Sequence, residues 1–538
     1  MRFLRLLKKE LAGKMQYFAV LVVLSALSAA LILAILNFSI VSSGGSQYIL
    51  AGAFVILLLC FVFVQYKLLK KGWEAAEKIS DDFRKRLSSK ILNSDLSALE
   101  KIDDGEICER LTQETSNISH SAGFLIPSIQ TVILLLFVLI YLGVIFPVGM
   151  GVFTTLILIG FYLYRTSSRG IILLLKRSTK SETKFYGLIN DILKGIKEIK
   201  FFSARKSELM SDVKSTSSFL RKIKQKSYSE YSDLSIYSQA FFFLVIGVVV
   251  FVLPRFETSD IQTVIKLITT AFFIMGPALG ILFMLPMFEK IDLSLEFLEN
   301  LEEKLDSISE KIIETGVPSA LSSFEQIEVK GLQFDYNEPS NGEFKIGPVD
   351  LDIKKGEIIF FTGGNGSGKT TLLKAISSVY RKSGGDISVN GNKINDYNLE
   401  EYRNHFSAIF SDFHLFAKLY GFENPDKQKI YELLSVMKIE NKTAFDKDGF
   451  TNLNLSTGQK KRLALIVSLL EDKPVMIFDE WAAEQDQYFR EYFYNNILPE
   501  LKRKEKTVLV VSHDERYFSA ADKIIKMDFG KIAEVTIN

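Results

Sequence analysis

Long apolar runs without charge fill the first half of this chain and are missing from the second. Residues 17–41 contain no Asp, Glu, Lys or Arg, and 25 residues at about 1.5 Å each exceed the roughly 30 Å hydrocarbon layer of a membrane. Residues 48–66 form a second such run. Residues 115–164 lack those charges throughout, but Phe146-Pro147 breaks the run, which predicts two spans at about 121–145 and 148–164. Residues 235–253 and 261–288 bring the number to six, the last with Lys266 as its single charge. The first run is too long for the apolar core of a cleaved signal and is read as retained.

Lys and Arg orient these spans. Arg2, Arg5, Lys8, Lys9 and Lys14 precede the first, whereas residues 42–47 and 146–148 carry none and 254–260 only Arg255. The amino terminus is therefore expected in the cytoplasm, and six spans return the carboxyl terminus there. The connections 67–114 and 165–233 are rich in Lys and Arg and fall on the same side. As helical hairpins with arms of about 25–35 residues they would extend some 35–50 Å, far enough to reach a cytoplasmic domain. Solvated basic loops lying on anionic lipid are the alternative.

After the last span the pattern changes. Residues 1–290 read as a transmembrane domain, 291–323 as a charged helical linker and 324–538 as a soluble domain. In that domain short β-type runs at 357–362, 475–478 and 507–511 alternate with helical stretches, the signature of an α/β fold with a largely parallel sheet. Net charge is only +2, which gives no reason to expect a nucleic-acid partner. Cys60 and Cys108 are the only cysteines, so no disulfide framework or thiolate metal site can be drawn. His120, His405 and His414 lack metal-ligand spacing and read as structural.

Three motifs carry chemistry. Gly363-Gly364-Asn365-Gly366-Ser367-Gly368-Lys369-Thr370, followed by Thr371, comes after a strand and opens a helix, the context a phosphate-binding P-loop requires. Its backbone N–H groups would wrap phosphates, Lys369 would meet the β and γ oxygens, and the Thr370 hydroxyl would ligate Mg²⁺. Asp479-Glu480 ends the apolar strand at 475–478; Asp479 would join the Mg²⁺ shell and Glu480 would polarise an attacking water. Leu455-Ser456-Thr457-Gly458-Gln459, followed by Lys460-Lys461-Arg462, opens the helix before that strand.

The order of P-loop, Ser456-Thr457-Gly458-Gln459 and acid pair resembles the ATP-binding cassette of ABC transporters. The resemblance implies ATP and Mg²⁺ as cofactors, with Ser456, Thr457, Gly458 and Gln459 presented to the γ-phosphate by a second subunit. It further implies Tyr336 as the aromatic stacked on adenine, His513 as the switch histidine and Asp486 as the loop aspartate at the dimer interface. One departure stands out: where the family has a glutamine touching Mg²⁺ and the membrane-domain contact, this chain has Ser411 and Asp412. Either takes over the contact, or it is lost.

The membrane half is similar to exporters. Gly105-Glu106-Ile107 with Arg110-Leu111-Thr112 resembles the first cytoplasmic loop, and residues 191–200 the second, the loops that carry coupling helices. A six-span domain fused before its ATPase implies a type I ABC exporter fold and a homodimer in the bacterial inner membrane, with both termini and the ATPase cytoplasmic. Residues 479–486, 458–462 and 406–416 resemble the cyclic-peptide (microcin) and pyoverdine-type siderophore export branch. That implies ATP-driven export of a cyclic or lasso peptide or a peptide siderophore precursor. About sixteen residues precede the first span, so leader cleavage during export is not expected. A lipid or multidrug flippase, or an ATP-responsive regulatory or channel subunit, are the alternatives. Lys266, Asn37, Gln130, Gln239 and Tyr237 could line a path or pair helices, and Pro277 and Pro286 could kink the last span.

Overall fold

A computed structural model describes residues 15–40, 46–252, 261–310, 324–335, 344–447 and 449–538. Arg2, Arg5, Lys8, Lys9, Lys14, Arg255, Tyr336 and residues 311–323 of the expected linker lie outside these. The chain divides into two compact units, Met1–Leu92 with Ile102–Ser307, and Asn93–Lys101 with Ile308–Asn538.

The first unit is helical, and its helices outrun the apolar segments that specify them. Ser46–Leu92, Pro147–Lys194, Ser203–Gly247 and Ile261–Ser307 each span 45 to 48 residues, or roughly 70 Å. Among the described residues four helical stretches, Gln16–Ser39, Ser46–Leu92, Pro127–Ile145 and Ser203–Val252, are long and apolar enough to cross a membrane. The other two expected spans fall on shorter apolar stretches, Pro147–Gly160 and Ile261–Pro277. The helix Thr115–Ile145 gives way to Pro147–Lys194 at Phe146, whose extended backbone (φ −152°) precedes a proline at the first helical position.

Small residues let the inner helices approach closely. Ala26, Ala29 and Ala30 share a core with Leu134, Val138 and Ala271. Asn37, fully buried, donates to Thr270 Oγ1 at 3.0 Å and so joins two helices. Gln130 is buried, Gln239 donates to Ser235 and Tyr237 is exposed. Large apolar side chains such as Ile49, Leu59 and Val144 face outward, as a lipid-facing surface requires. Beyond the apolar stretches the helices still bury Phe83, Leu87, Leu298 and Leu301, and ion pairs flank them: Arg86 and Lys90 each meet Glu302 at 2.7 Å. The helix Ile261–Ser307 continues through Pro277 and Pro286 and through the first part of the expected linker.

The second unit is α/β. Its strands are β1 (Gln326–Asp335), β2 (Lys345–Lys354), β3 (Ile358–Gly363), β4 (Gly384–Val389), β5 (Asn392–Lys393), β6 (Phe406–Ile409), β7 (Phe445–Asp446), β8 (Gly449–Phe450), β9 (Val475–Asp479), β10 (Thr507–Val511), β11 (Lys523–Asp528) and β12 (Lys531–Ile537). The main sheet runs β12-β11-β3-β10-β9-β6, parallel except for β12, and an antiparallel sheet runs β2-β1-β4-β5. β9 and β10 are buried along their whole length, which is why they read as unbroken apolar runs rather than alternating ones.

Asn93–Lys101 belongs to this second unit. Asp95 N–H donates to the Ile308 carbonyl at 2.9 Å, Glu310 N–H to the Asn93 carbonyl at 2.8 Å, and Leu96 packs on the core around Phe334 and Tyr380. Residues 105–112 of the same loop form the helix Asp104–Glu109, started by Asp103 accepting from Gly105 N–H, and the turn after it, and these belong to the first unit.

Candidate functional site

The carboxyl ends of β3, β10 and β9 lie side by side, with Val511 level with both Phe361 and Asp479. In an open parallel sheet this edge is where ligands bind. Gly363 leaves β3 at φ 138°, and a Cβ there would lie 2.2 Å from the Met527 carbonyl oxygen, so a glycine must make this turn. Gly364, Asn365, Gly366, Ser367 and Gly368 then lead into the helix Lys369–Ile376, whose N-terminus is suited to an anion. Lys369 Nζ bends back over the loop and donates to the carbonyls of Gly363 and Gly364 at 3.1 and 2.9 Å. Burial pulls this ammonium below the usual lysine range, opposed by Glu480 and Asp479. Phosphate oxygens beside it would favour its charged form. Ser367 Oγ is buried with no partner among the described residues, and Thr371 is buried behind the loop.

Thr370 Oγ1 donates to Asp479 Oδ2 at 2.9 Å, and Ser411 N–H donates to the same oxygen at 3.3 Å. Asp479 is 1% exposed, and its Oδ1 has no hydrogen-bond partner among the described residues. Burial holds its carboxyl above the usual range, against the Thr370 and Ser411 hydrogen bonds. An orphaned carboxylate oxygen beside a threonine hydroxyl fits a hard divalent cation such as Mg²⁺. Asp412 points elsewhere, to Lys374 Nζ at 3.1 Å.

Glu480 turns out of β9 in the left-handed region, at φ 51°. Its N–H donates to the Val511 carbonyl at 3.2 Å, and its own carbonyl accepts from Lys461 Nζ at 2.8 Å. So held, its carboxylate stands 3.3 Å from His513 Nε2 in a cleft of about 330 Å³ also lined by Arg490 and Asp514. A half-exposed carboxylate in this position can accept a proton from water.

Ser456 caps the helix Thr457–Glu471. Its Oγ accepts from Gln459 N–H at 3.4 Å while Gln459 Oε1 accepts from Ser456 N–H at 3.1 Å, a reciprocal capping box. A Cβ on Gly458 would lie 3.0 Å from the Glu484 carbonyl oxygen, and Gln485 Nε2 donates to the Gly458 carbonyl at 3.1 Å. Asp486 caps the next helix, accepting from Phe489 N–H at 2.9 Å. His405 Nδ1 lies 2.9 Å from the Glu401 carbonyl oxygen and His414 packs edge-on against Phe416. Among the described residues no cluster of three His, Cys, Asp or Glu could hold a metal.

Lys461 is hidden in the sequence because a Lys-Lys-Arg run on a helix ordinarily marks its solvated face. Its spacing to Leu465 and Ser468 was the available signal, since these share one buried helical face. The membrane unit holds a cavity of about 950 Å³ with a mixed lining that includes Thr131 and Pro277 and the Glu182–Lys224 ion pair at 2.6 Å.

Two family profiles match the chain: ABC transporter transmembrane region over residues 17–277, and ABC transporter over residues 346–483. The ATP-binding protein SyrD of Pseudomonas syringae pv. syringae is 29% identical over 474 residues, covering 85% of this chain and 83% of that protein. The ATP-dependent lipid A-core flippase of Aliivibrio fischeri is 32% identical over 224 residues, 39% of this chain and 37% of that protein. The structure of a bacterial Atm1-family ABC exporter with ATP bound matches with a TM-score of 0.81 at 17% identity, over 98% of this chain and 96% of that one.

Proposed function

This chain belongs to the ABC transporters, with its membrane-spanning and ATPase domains on one polypeptide, and from that premise we propose that it exports a small peptide-type substrate as a homodimer. The membrane concerned is the bacterial inner membrane, with the ATPase on the cytoplasmic side. The fold is that of a type I exporter and the second unit is an ATP-hydrolysing cassette.

What carries the mechanistic reading is the convergence of Thr370, Asp479, Glu480 and His513 at one sheet edge. Thr370 and Asp479, with Ser411 beside them, would hold Mg²⁺, which would supply positive charge to offset that of the phosphates. Lys369 and the P-loop amides orient the phosphates. Glu480 takes a proton from the attacking water, and His513 holds that carboxylate and meets the γ-phosphate. Within one chain Ser456 and Gln459 satisfy each other, which leaves further N–H groups of that helix end for the ATP of a second copy. Closure of the two ATPase domains on ATP would turn the membrane helices outward, and hydrolysis would reset them.

Two observations favour a peptide-type cargo. Residues 479–486 resemble the cyclic-peptide and siderophore export branch, and a cavity lined by both charged and apolar side chains suits a peptide better than an acyl chain. The likeness to lipid A-core flippases, confined to about two fifths of the chain, favours a lipid as the second reading. ATP hydrolysis in liposomes with a panel of cyclic peptides, lasso peptides, peptide siderophores and lipids, against Glu480→Gln as blank, tests the choice. Stimulation by a peptide class supports the proposal, and stimulation by lipids alone replaces it with the flippase reading.

A further inference from the structure

Ser411 and Asp412 stand where a glutamine is expected, and they face different partners. Ser411 N–H donates to Asp479 at the cation site, whereas the Asp412 carboxylate accepts from Lys374 Nζ at 3.1 Å. Lys374 lies on the helix that opens from the P-loop, five residues after Lys369, and its side chain is 8% exposed. The same ammonium stands 3.6 Å from Glu100 Oε1 and donates to Tyr380 Oη at 3.3 Å, and that hydroxyl donates to Glu100 Oε2 at 2.6 Å. Glu100 closes the short helix Leu96–Leu99 of the segment Asn93–Lys101, which joins two long helices of the membrane unit in sequence and belongs to the ATPase unit in space.

We infer that Lys374 is a positioning residue that links the cation site, through Asp412 and Ser411, to Glu100 on the segment Asn93–Lys101. The two acids are not equivalent to the lysine. Asp412 and Glu100 retain 64% and 40% of their side-chain exposure and can exchange a partner for water, whereas the buried ammonium cannot. One buried cation is thus shared between two carboxylates. A shift of Ser411 and Asp412 at the cation site changes how much of that cation Glu100 receives, and Tyr380 keeps Glu100 in place while it does. The ionic link stands in for the single uncharged side chain the sequence lacks. This deepens the proposed ATP-driven cycle and rests on it, by naming where the nucleotide state is read.

Hydrogen exchange of the 93–101 amides tests the inference in the full chain, reconstituted in phosphatidylethanolamine–phosphatidylglycerol vesicles with and without Mg²⁺ and a non-hydrolysable ATP analogue. The wild type is expected to change exchange there by about fivefold or more on binding the analogue, the lower end of typical coupling. Lys374→Met is expected to lose that response while binding the analogue within about twofold of wild type, and Lys374→Arg to restore it. Asp412→Asn, an exposed substitution that spares folding, is expected to cut the response at least by half. A wild-type response in Lys374→Met, or in Asp412→Asn where Lys374→Met does not fold, overturns the inference. So does a wild-type chain that binds the analogue without change at 93–101, an outcome that leaves the export reading to ATP-driven uptake, which is measured separately.

Discussion

Lys461 Nζ donates to the backbone carbonyl of Glu480 at 2.8 Å, and the Lys461 carbonyl in turn accepts from Trp481 Nε1 at 2.7 Å. The helix after Ser456 and the turn after β9 therefore brace each other on both sides of Glu480. A non-glycine residue in left-handed backbone is strained, and this pair of bonds helps to maintain it together with the Glu480 N–H bond to the Val511 carbonyl. Lys461 is 3% exposed, so its removal takes a buried charged donor from the Glu480 carbonyl and leaves it the longer bond from Ala483 N–H at 3.3 Å.

Lys461→Met should lower kcat about tenfold while leaving ATP affinity within about threefold, because it disturbs the aim of Glu480 and not the P-loop. Steady-state hydrolysis set beside fluorescent-nucleotide binding checks this. Equal loss in both would place Lys461 in general folding, and no loss in either would remove it from the site.

Asp479 gives a pH prediction. Burial raises its carboxyl above the ordinary value, so the folded chain holds that proton more tightly than the unfolded chain does. Its contribution to stability is therefore full at low pH and is lost as pH rises from the ordinary carboxylate range through the raised value. At neutral pH without metal the charged form is a burden, and Asp479→Asn should raise the melting temperature by about 2–4 °C for each kcal/mol relieved. The same variant should no longer be stabilised further by Mg²⁺ with ATP. Melting curves with and without Mg²⁺–ATP decide; a variant that melts lower at pH 7 without metal contradicts the account.

The sequence made the motifs readable where the chemistry is local. Gly363 to Thr370 is one contiguous loop, and Asp479 and Glu480 end a strand whose burial on both faces writes itself as an unbroken apolar run. The fold class followed from the same patterns. Contacts between residues far apart in sequence were not readable. Glu100 meets Tyr380 and Asn93 meets Glu310 across more than 200 positions, so nothing local in residues 93–101 marks them as part of the ATPase unit. Buried lysines were also hidden, since Lys374 and Lys461 each lie in helices where a charge normally marks the solvated face. The long helices had the opposite problem: a sparse buried face such as Phe83 and Leu87, flanked by ion pairs such as Arg86–Glu302, carries them beyond the apolar stretches that mark a membrane span.

Composite sites make a prediction about mixtures. Lys369→Ala disables the P-loop and Gly458→Asp the signature turn, and each alone should be inactive. If ATP is held between the P-loop of one copy and the signature of another, a mixed dimer of the two variants contains one intact site. Co-expressed variants should then recover hydrolysis to roughly a quarter of wild type, from half the dimers carrying one of two sites. No recovery in dimers shown to be mixed would mean that each chain completes its own site.

The central claim is ATP-driven movement of a peptide-type substrate, and uptake into proteoliposomes with the ATPase domains outside tests it most directly. With the same panel of labelled cyclic peptides, lasso peptides and peptide siderophores, at least one should accumulate inside only when Mg²⁺–ATP is present, and not with Glu480→Gln. Hydrolysis without accumulation of any peptide, or ATP-dependent movement of labelled lipid alone, would contradict the account.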